Sequence, residues 1–466
     1  MRRAISSARE GHASFWHVPR KVVRLLSQCG LARLNTVRFC HRSRAVVSVL
    51  RGSPVDQTLK GHCDVLRAKG QIFEDRYRTF SQDVVVETML LEGYACSEDL
   101  AAARGEAREA ISRFSRAGLG FRTCNGENLY DPVEVACFVK AAALEGDDYW
   151  ERRYVATLRQ FVTDLASLAP RRASLVYRRH FDAANMTPGE TRRLRLPLPL
   201  VNRHAGVDIV PELPVTAISH RMSDGRLEAR VAVGDEAEIA IGAQIELDLG
   251  QPAGDAPPEG DLYLRSREGW IVITPAVTEL AGRLASAGAR QADAVRAFWE
   301  YLIETFIFCP IHYDAVPVET PLDWVLEHRV YDCQLASALF CALCRTHGIM
   351  ARMVGGNFLY RRSPTNHYWA EVWNDDNGWT PVDFIGWDLS RGGRDNEWRD
   401  RFFGQTDARL VTECLPQSFT GAIGVNIPDA WVMVRTISGD GVEMRLSGLD
   451  GTNVYRDRVS LIYRGE

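Results

Sequence analysis

Residues 329–348, RVYDCQLASALFCALCRTHG, place a cysteine at the point where a helical pattern begins. Apolar residues follow Cys333 at spacings of three and four, which predicts a helix that Gly348 ends. The unpaired N–H groups and the positive end of the dipole at a helix N-terminus stabilise a thiolate and lower the pKa of the thiol. Cys333 is therefore a candidate nucleophile, although a cysteine at such a position can also be a small buried apolar residue.

Two further segments supply the partners that a nucleophilic thiol needs. Over residues 366–384, NHYWAEVW alternates as a strand, NDDNG predicts a tight turn, and GWTPVDF predicts the returning strand. This hairpin brings His367 and Asp383 onto neighbouring strands. A thiol needs a base to take its proton, and the base needs a third group to orient it, so Cys333, His367 and Asp383 form a candidate triad. Taken singly, His367 could be a structural histidine and Asp383 a strand-end cap.

The oxyanion of the tetrahedral intermediate in such chemistry also needs hydrogen-bond donors. The backbone N–H of Cys333 is one candidate, and the side chain of Tyr313 or Trp324 is the second. Cys341 and Cys344 form a CxxC pair one helical turn apart. Because no second CxxC or His pair lies at metal-ligand spacing, we interpret both as core residues and predict no metal site.

Four short motifs occur in order along the chain: Asp332-Cys333 before the helix, GIMAR at 348–352, HYWAE at 367–371 and GWTPVD at 378–383. This combination resembles the transglutaminase-like superfamily, and the resemblance covers about residues 270–410. It implies a papain-like core, in which a cysteine-bearing helix packs on an antiparallel sheet. It also implies that Cys333 attacks an acyl donor, that His367 is the base and that Asp383 orients it. Tyr331 stands two residues before Cys333, where glycine is common in the family, which predicts an approach to the sulfur that is narrower or is shaped for a particular donor.

The resemblance implies a Cys333 thioester whose fate depends on the nucleophile that arrives second. An amine gives an amide, so the first hypothesis is a transglutaminase-like acyltransferase that forms amide bonds in bacterial peptide or natural-product biosynthesis. Its partners are an acyl donor (a peptide, a carboxamide or a carrier-protein thioester) and an amine acceptor. Water gives hydrolysis, so a cysteine peptidase or amidase is the alternative, and a non-catalytic interaction protein that keeps the fold is the third. We predict no cofactor.

The elements that position these residues follow changes of periodicity along the chain. From residue 80 to about residue 170 the patterns are helical, and in one of them Asp131 is a predicted N-cap with Pro132 at the first helical position. Alternating strand patterns begin near residue 190, and a linker rich in Pro and Gly follows at 250–261. We therefore predict an α+β fold with five parts: a basic tail (1–70), a helical domain (71–185), a strand-rich domain (186–262), a transglutaminase-like core (263–410) and C-terminal strands (411–466).

Composition narrows the class of function. The 466 residues carry a formal charge of −4 and contain no apolar run long enough to span a membrane, so we expect neither nucleic-acid binding nor a transmembrane helix. Residues 1–70 differ, with 14 Lys and Arg against 3 Asp and Glu. We interpret them as a loose tail or as translation from a start codon placed too far upstream, and a mitochondrial transit peptide is the other reading. The 11 cysteines are scattered, which is typical of reduced thiols in a cytoplasmic protein.

Overall fold

The computed structural model describes residues 73–91, 100–144, 172–200, 203, 206–223, 225–248, 260–359, 366–385, 400, 402–404, 409–416, 431–438, 441–448 and 453–464. The predicted tail at 1–70, the helical pattern at 147–170 and most of the linker at 250–261 lie outside these residues. Helices and strands are both abundant in the described part, and the predicted α+β class is confirmed. None of the helices described combines the length and the apolar composition that a bilayer crossing needs.

The helices and strands in these ranges are numbered here in chain order. The helices are α1 (Gln82–Leu91), α2 (Leu100–Arg116), α3 (Pro132–Leu144), α4 (Pro275–Leu284), α5 (Gln291–Thr305), α6 (Pro321–His328) and α7 (Cys333–Thr346). The strands are β1 (Phe80–Ser81), β2 (Arg122–Cys124), β3 (Glu127–Tyr130), β4 (Arg172–Asp182), β5 (Thr191–Pro197), β6 (Val207–Glu212), β7 (Ala217–Ser223), β8 (Arg226–Ala232), β9 (Glu238–Asp248), β10 (Arg267–Glu268), β11 (Ile271–Val272), β12 (Ile307–Phe308), β13 (Val330–Tyr331), β14 (Ala351–Phe358), β15 (Asn366–Asn374), β16 (Gly378–Val382), β17 (Arg409–Cys414), β18 (Trp431–Ser438), β19 (Gly441–Gly448) and β20 (Asn453–Arg464).

The N-terminal helices α1 to α3 accompany a small antiparallel sheet in which β3 lies between β1 and β2. Helix α3 begins as predicted, because Asp131 Oδ1 accepts the N–H of Val133 at 2.9 Å and Pro132 is the first helical residue. Asp131 also contacts the core. Its Oδ2 lies 2.9 Å from His312 Nε2, and the Tyr77 ring stacks on that imidazole. One carboxylate therefore caps a helix and ties this region to the segment that precedes the Cys333 helix.

A six-stranded antiparallel sheet, in the order β18-β19-β20-β4-β9-β6, dominates the strand-rich part. At its centre Tyr177 of β4 pairs with Ala243 of β9 on one side and with Val459 of β20 on the other. The predicted boundaries at residues 186 and 411 cut across this sheet, because β4 precedes the first and β20 follows the second. The alternation of apolar residues predicts that a segment is a strand, but it does not identify the strand with which it pairs.

The core around the Cys333 helix contains a four-stranded antiparallel sheet, in the order β16-β15-β14-β17. Helix α7 packs on β15 and β14 and also contacts α4 and α5. Gly356 lets β17 approach β14 closely, since a Cβ there would lie 1.8 Å from the carbonyl oxygen of Leu410. The predicted helix and hairpin appear as α7 and as β15 with β16. The predicted end of the core at residue 410 falls inside β17, which belongs to this sheet.

Candidate active site

Cys333 is the first residue of helix α7, as the sequence predicts. Asp332 is the N-cap, and its Oδ1 accepts the N–H groups of Gln334 at 3.1 Å and of Leu335 at 3.0 Å. These bonds satisfy two of the donors that a helix leaves unpaired at its start. Gly348 follows the helix with a φ of 74°, the left-handed conformation that glycine favours. Cys333 is buried, with 5% of its surface exposed.

The Asp332 carboxylate also accepts a hydrogen bond from the hydroxyl of Tyr313, whose oxygen lies 2.9 Å from Oδ1 and 3.0 Å from Oδ2. Burial raises the pKa of Asp332 to about 6, although the hydrogen bonds from Leu335, Tyr313 and Gln334 oppose that rise. Burial, with the charges of Asp332 and Cys333, also raises the pKa of Tyr313 well above its usual value. The Tyr313 hydroxyl therefore stays protonated, and its single O–H donates a hydrogen bond to Asp332. That O–H is not available to an oxyanion, so the structure does not support Tyr313 as the oxyanion donor.

His367 and Asp383 meet as the hairpin predicts, at the start of β15 and directly after β16. His367 Nε2 lies 2.8 Å from Asp383 Oδ1 and 2.9 Å from Oδ2, and neither side chain is accessible to solvent. The imidazole stacks on the Phe358 ring, with 4.6 Å between the ring centres. The predicted contact between the histidine and the carboxylate is confirmed, and its geometry holds one ring nitrogen of His367 on Asp383.

Asp383 has a second cationic partner, since Arg409 Nη1 donates to its Oδ2 at 2.8 Å. Burial alone raises the pKa of Asp383, but the charges of His367 and Arg409 outweigh it and lower the pKa to about 2. The Arg409 guanidinium lies 4.8 Å from the ring centres of Phe358 and Trp369, where cation–π attraction holds it. Sequence reasoning missed Arg409 as a site residue, because an arginine 26 residues beyond Asp383 carries no local pattern.

The helix that carries Cys333 packs on β15, the strand that carries His367. Tyr368, next to His367, also interacts with the thiol. Burial and the Glu413 carboxylate raise the pKa of Tyr368 most, and the charge of Cys333 adds to that rise. The pKa of Tyr368, the next residue after His367 on β15, therefore depends in part on the charge of the thiol at the start of α7.

Glu371, the last residue of the HYWAE motif, joins this sheet to the strand-rich part. Arg352 Nε donates to its Oε2 at 2.8 Å, and Arg203 Nη2 lies 2.8 and 2.9 Å from its two oxygens. The Trp379 ring covers the Arg352 guanidinium at 3.8 Å. Removing one partner from such a buried group of charges costs about 3–5 kcal/mol, so these residues fix the position of the sheet.

Other residues singled out in the sequence lie in the core. Cys341 and Cys344 are fully buried, and burial raises the pKa of the Cys341 thiol to about 12, so the prediction of core packing is confirmed. The Tyr331 ring stacks on Phe306, and its hydroxyl donates to the carbonyl of Leu302 at 3.0 Å. The prediction that Tyr331 narrows the approach to the sulfur is not supported, because its phenol has both its hydrogen-bond partner and its aromatic neighbour in the core.

Residues 278–384 match the model of the transglutaminase-like superfamily. The matched range contains the Cys333 helix, the strand after it and the hairpin with His367 and Asp383. This part of the chain is therefore a transglutaminase-like domain, as the four sequence motifs predict.

Comparison with solved structures finds a proposed cysteine protease from Cytophaga hutchinsonii, 13% identical, with a TM-score of 0.37 and a match that covers 63% of this chain and 91% of that one. The periplasmic domain of TgpA from Pseudomonas aeruginosa is 17% identical, with a TM-score of 0.28 and coverage of 52% and 96%. A proposed protease from Parabacteroides distasonis is 10% identical, with a TM-score of 0.23 and coverage of 61% and 68%. No curated protein matches the chain. The assignment rests on the family model and on the elements described above.

Proposed function

We propose that the protein is a cysteine-dependent acyltransferase, in which Cys333 forms a thioester with an acyl donor and an amine then takes the acyl group. The observation that carries the proposal is the buried pair of His367 and Asp383 on the sheet against which the Cys333 helix packs. A nucleophilic thiol needs a base, and the base needs a carboxylate that fixes its tautomer and orientation. The family match over the same residues supports this use of them.

Acylation uses the two nitrogens of His367 for different tasks. Because Asp383 holds Nε2, the proton of the Cys333 thiol goes to Nδ1. The thiolate attacks the carbonyl carbon of the donor and forms the C–S bond, and the imidazolium returns the proton to the leaving group as its bond to that carbon breaks. Asp383 stays ionised, because its pKa is about 2, and it stabilises the imidazolium.

Deacylation uses the same groups in the reverse direction. An amine attacks the thioester carbon, His367 takes a proton from the attacking nitrogen, and the C–S bond breaks to release an amide and the Cys333 thiolate. Water in place of the amine releases the free acid, so a cysteine peptidase or amidase is the second candidate.

The oxyanion that forms in both steps needs donors. The backbone N–H of Cys333 is in the first turn of α7, where helix N–H groups have no intrahelical partner. Trp270 is our candidate for the second donor. Its ring meets Tyr313 edge-on at 5.3 Å, and its buried indole N–H has no hydrogen-bond partner within the described ranges. Sequence reasoning missed Trp270, because it lies far from Cys333 along the chain and outside the four motifs.

The setting that we propose is amide-bond formation in bacterial peptide or natural-product assembly in the cytoplasm. The donor is then a peptide, a carboxamide or a carrier-protein thioester, and the acceptor is an amine. A non-catalytic interaction protein that keeps the fold is the remaining alternative, and it requires that Cys333 be unreactive towards acyl donors.

The test uses the full chain, the N-acetylcysteamine thioester of phenylacetic acid as donor, and propylamine as acceptor. We expect the intact protein to gain one phenylacetyl group at Cys333 and to release the propylamide when the amine is present. Cys333→Ala should show neither reaction, while Cys341→Ala, a matched change in the same helix, should show both. An acyl-enzyme that releases only free acid would assign hydrolysis, and a Cys333 that no thioester acylates would contradict the proposal.

A further inference from the structure

The three-stranded antiparallel sheet β5-β8-β7 has one buried face and one basic face. Apolar side chains at alternate positions, among them Leu196, Leu227 and Val231, are buried in the core. The charged and serine side chains at the intervening positions share the outer face, which is called the basic face here: Arg193 and Arg195 of β5, Arg226, Glu228 and Arg230 of β8, and Ser219, Arg221 and Ser223 of β7. On these three strands, five arginines therefore surround one carboxylate.

That carboxylate cannot neutralise all the arginines around it. Arg195 Nε lies 2.9 Å from Glu228 Oε1, and Arg221 Nη2 lies 3.1 Å from Oε2. Burial by itself raises the pKa of Glu228, but the charges of four arginines on the face outweigh burial and lower the pKa. Arg193 and Arg230 lie directly opposite each other on β5 and β8, where like charges destabilise a sheet. An anionic ligand on the basic face would reduce this repulsion.

The basic face contrasts with the charge of the chain around it. Residues 71–466 carry 57 Asp and Glu against 42 Lys and Arg. A long nucleic acid would meet this acidic remainder as well as the arginines, and the outer face of the three strands carries no aromatic side chain on which a base could stack. The charge pattern therefore favours a short anionic segment over a nucleic acid.

Strand β7 is an open edge of the same sheet. Within the described ranges, β8 pairs with one side of β7 and no strand pairs with the other side. Ile218 and Met222 on this strand are 57% and 46% exposed. An edge strand with exposed apolar side chains is a template on which a further strand can add, since its outward N–H and C=O groups are available for pairing.

Arginines are placed over this open edge at regular intervals. Arg230 of β8 lies opposite Ser219 of β7, and Arg226 lies opposite Ser223. Arg221 lies on β7 between the two serines. A strand added to β7 would be about 10 Å from β8, a distance that an arginine and an acidic side chain can span together across a serine. The three arginines therefore face three positions of the added strand, each two residues apart.

The opposite face of β7 is apolar. Met222 pairs with Leu227 and His220 pairs with Ala229, both of them residues of the buried face of β8. The side chains of an added strand that lie between its acidic positions would point to this side, because successive residues of a strand alternate between the two faces. Apolar residues at those positions would cover Met222.

The sheet that carries this edge is fixed to the sheet that carries His367. Gly225, which precedes β8, packs against β17, because a Cβ there would lie 2.8 Å from the carbonyl oxygen of Thr412. The N–H of Leu198 donates to the carbonyl of Gly225 at 2.8 Å, and the N–H of Leu200 donates to the carbonyl of Val411 at 2.9 Å. A segment bound at β7 would therefore meet an edge that is already held in position.

We propose that β7 binds an extended segment of a partner protein, which adds to the sheet as a fourth strand and alternates acidic with apolar residues. Three acidic side chains of the segment pair with Arg230, Arg221 and Arg226, and the apolar side chains between them pack beside Met222. A second copy of this chain fits less well, since two paired β7 strands would bring two basic faces side by side. A bilayer also fits less well, since the basic face has no large apolar side chain to insert. The inference does not depend on the proposed function, because it concerns recognition and not the chemistry of Cys333.

The test uses the full chain and the peptide Val-Glu-Val-Glu-Val-Glu-Val, with fluorescein at its N-terminus and an amidated C-terminus. We expect fluorescence anisotropy to detect binding that is about tenfold weaker in Arg221→Ser and about threefold weaker in Met222→Ser. Arg108→Ser, which removes an exposed, ion-paired arginine of α2, is the matched control and should bind as the wild type does. Equal affinities of the wild type and Arg221→Ser would overturn the assignment.

Backbone pairing is tested with the wild-type protein, so that no variant can affect folding. One peptide carries N-methyl groups on all its valines and a second carries them on all its glutamates. Only alternate N–H groups of a strand point towards one neighbour, so we expect one of the two peptides to bind about tenfold more weakly than the parent. If both bound as well as the parent, an added strand would be excluded.

Further probes distinguish the pattern and the occupant. A peptide with the same residues in a glutamate block and a valine block should bind about tenfold more weakly, because it cannot place acidic and apolar side chains on opposite faces. Equal binding of this peptide would contradict the alternation. Binding to phosphatidylglycerol vesicles that Arg221→Ser abolishes, without peptide binding, would assign the face to a membrane and overturn the proposal. A dimer that Met222→Ser dissociates in sedimentation, again without peptide binding, would assign the edge to a second copy.

Discussion

Asp332 and Asp383 are buried carboxylates on the thiol side and the imidazole side of the candidate site, and burial by itself raises the pKa of both. Asp332 receives hydrogen bonds from Tyr313 and from two backbone N–H groups, all of them neutral donors, and its pKa is raised to about 6. Asp383 contacts His367 and the Arg409 guanidinium, and its pKa is lowered to about 2.

The difference shows that a neighbouring cation, and not the number of hydrogen bonds, decides the charge of a buried carboxylate here. Neutral donors replace only part of the hydration that a carboxylate loses on burial, whereas a cation at hydrogen-bond distance offsets the rest. The carboxylate that orients the base is therefore ionised throughout the pH range of ordinary assays, while the carboxylate beside the thiol changes charge just below neutral pH. We expect the two sides of the site to respond differently to substitution and to pH.

Asp383→Asn should have the largest effect. The amide keeps the shape of the side chain but cannot stabilise the imidazolium or hold the tautomer, so we expect kcat for amide formation to fall by about 10³–10⁴. Asp332→Asn keeps an N-cap acceptor and should lower kcat less than tenfold. Steady-state kinetics at pH 8 with the two variants side by side checks both values. Equal losses would mean that the two carboxylates have the same role, although their charge states differ.

Arg409→Leu tests why Asp383 stays ionised. With the guanidinium removed, burial is opposed less strongly and the pKa of Asp383 rises, so activity is lost at higher pH as the solution is acidified. We expect the acid limb of kcat/KM to move up by about one pH unit or more, with a smaller change for Arg409→Lys, which keeps the charge. The profile between pH 2.5 and 8 gives the answer, and superimposable profiles for the wild type and the leucine variant over that whole range would rule out this role of Arg409.

Asp332→Asn should make the thiol more reactive above about pH 6, where the Asp332 carboxylate is ionised in the wild type. The variant removes that negative charge from the residue before Cys333, so the thiolate forms more easily. We expect the pH of half-maximal alkylation by iodoacetamide to fall by about one unit. Mass spectrometry of Cys333 labelling across a pH series measures this, and an upward shift or none would show that Asp332 does not act on the thiol through its charge.

The Asp332 carboxylate should also make the stability of the folded protein depend on pH. The folded pKa of Asp332 is raised, so its protonated form favours the folded state, and that stabilisation is complete below pH 3.8 and is lost as the pH rises through about 6. As the pH rises from 4.5 to 7.5, we expect the thermal midpoint of Asp332→Asn to increase relative to that of the wild type. The change corresponds to about 3 kcal/mol at most. For Asp383 the sign is opposite, since its lowered pKa favours folding above pH 3.8 and that contribution is lost as the pH falls towards 2. A midpoint difference independent of pH would contradict the assignment for Asp332.

The sequence predicts well those parts of the site that depend on local patterns. The start of the helix at Cys333, its end before Gly348 and the hairpin that joins His367 to Asp383 each follow from residues a few positions apart. The cap at Asp131 was also predictable, because Pro132 directly follows it.

Contacts between distant segments were not predictable in this way. Arg179 and Asp457 are 278 residues apart and meet only because β4 and β20 share a sheet. The hydrogen bonds from Arg409 to Asp383 and from Tyr313 to Asp332 likewise join separate elements of the fold. Periodicity shows which face of an element is apolar, but it does not show which other element covers that face or which charge meets which. The charge states of the two carboxylates therefore required the structure.

The interaction between Cys333 and His367 can be measured through the pH dependence of Cys333 alkylation in the wild type and in His367→Asn. If Cys333 and His367 form a thiolate–imidazolium pair, iodoacetamide should label Cys333 ahead of the other ten cysteines. The pH at which the labelling rate is half its maximum should lie well below 8.5, and His367→Asn should raise that pH towards the value of a free thiol. Wild-type and variant profiles that coincide near pH 8.5 would mean that the imidazole does not act on the sulfur, and the proposed acyl-transfer chemistry would then be wrong.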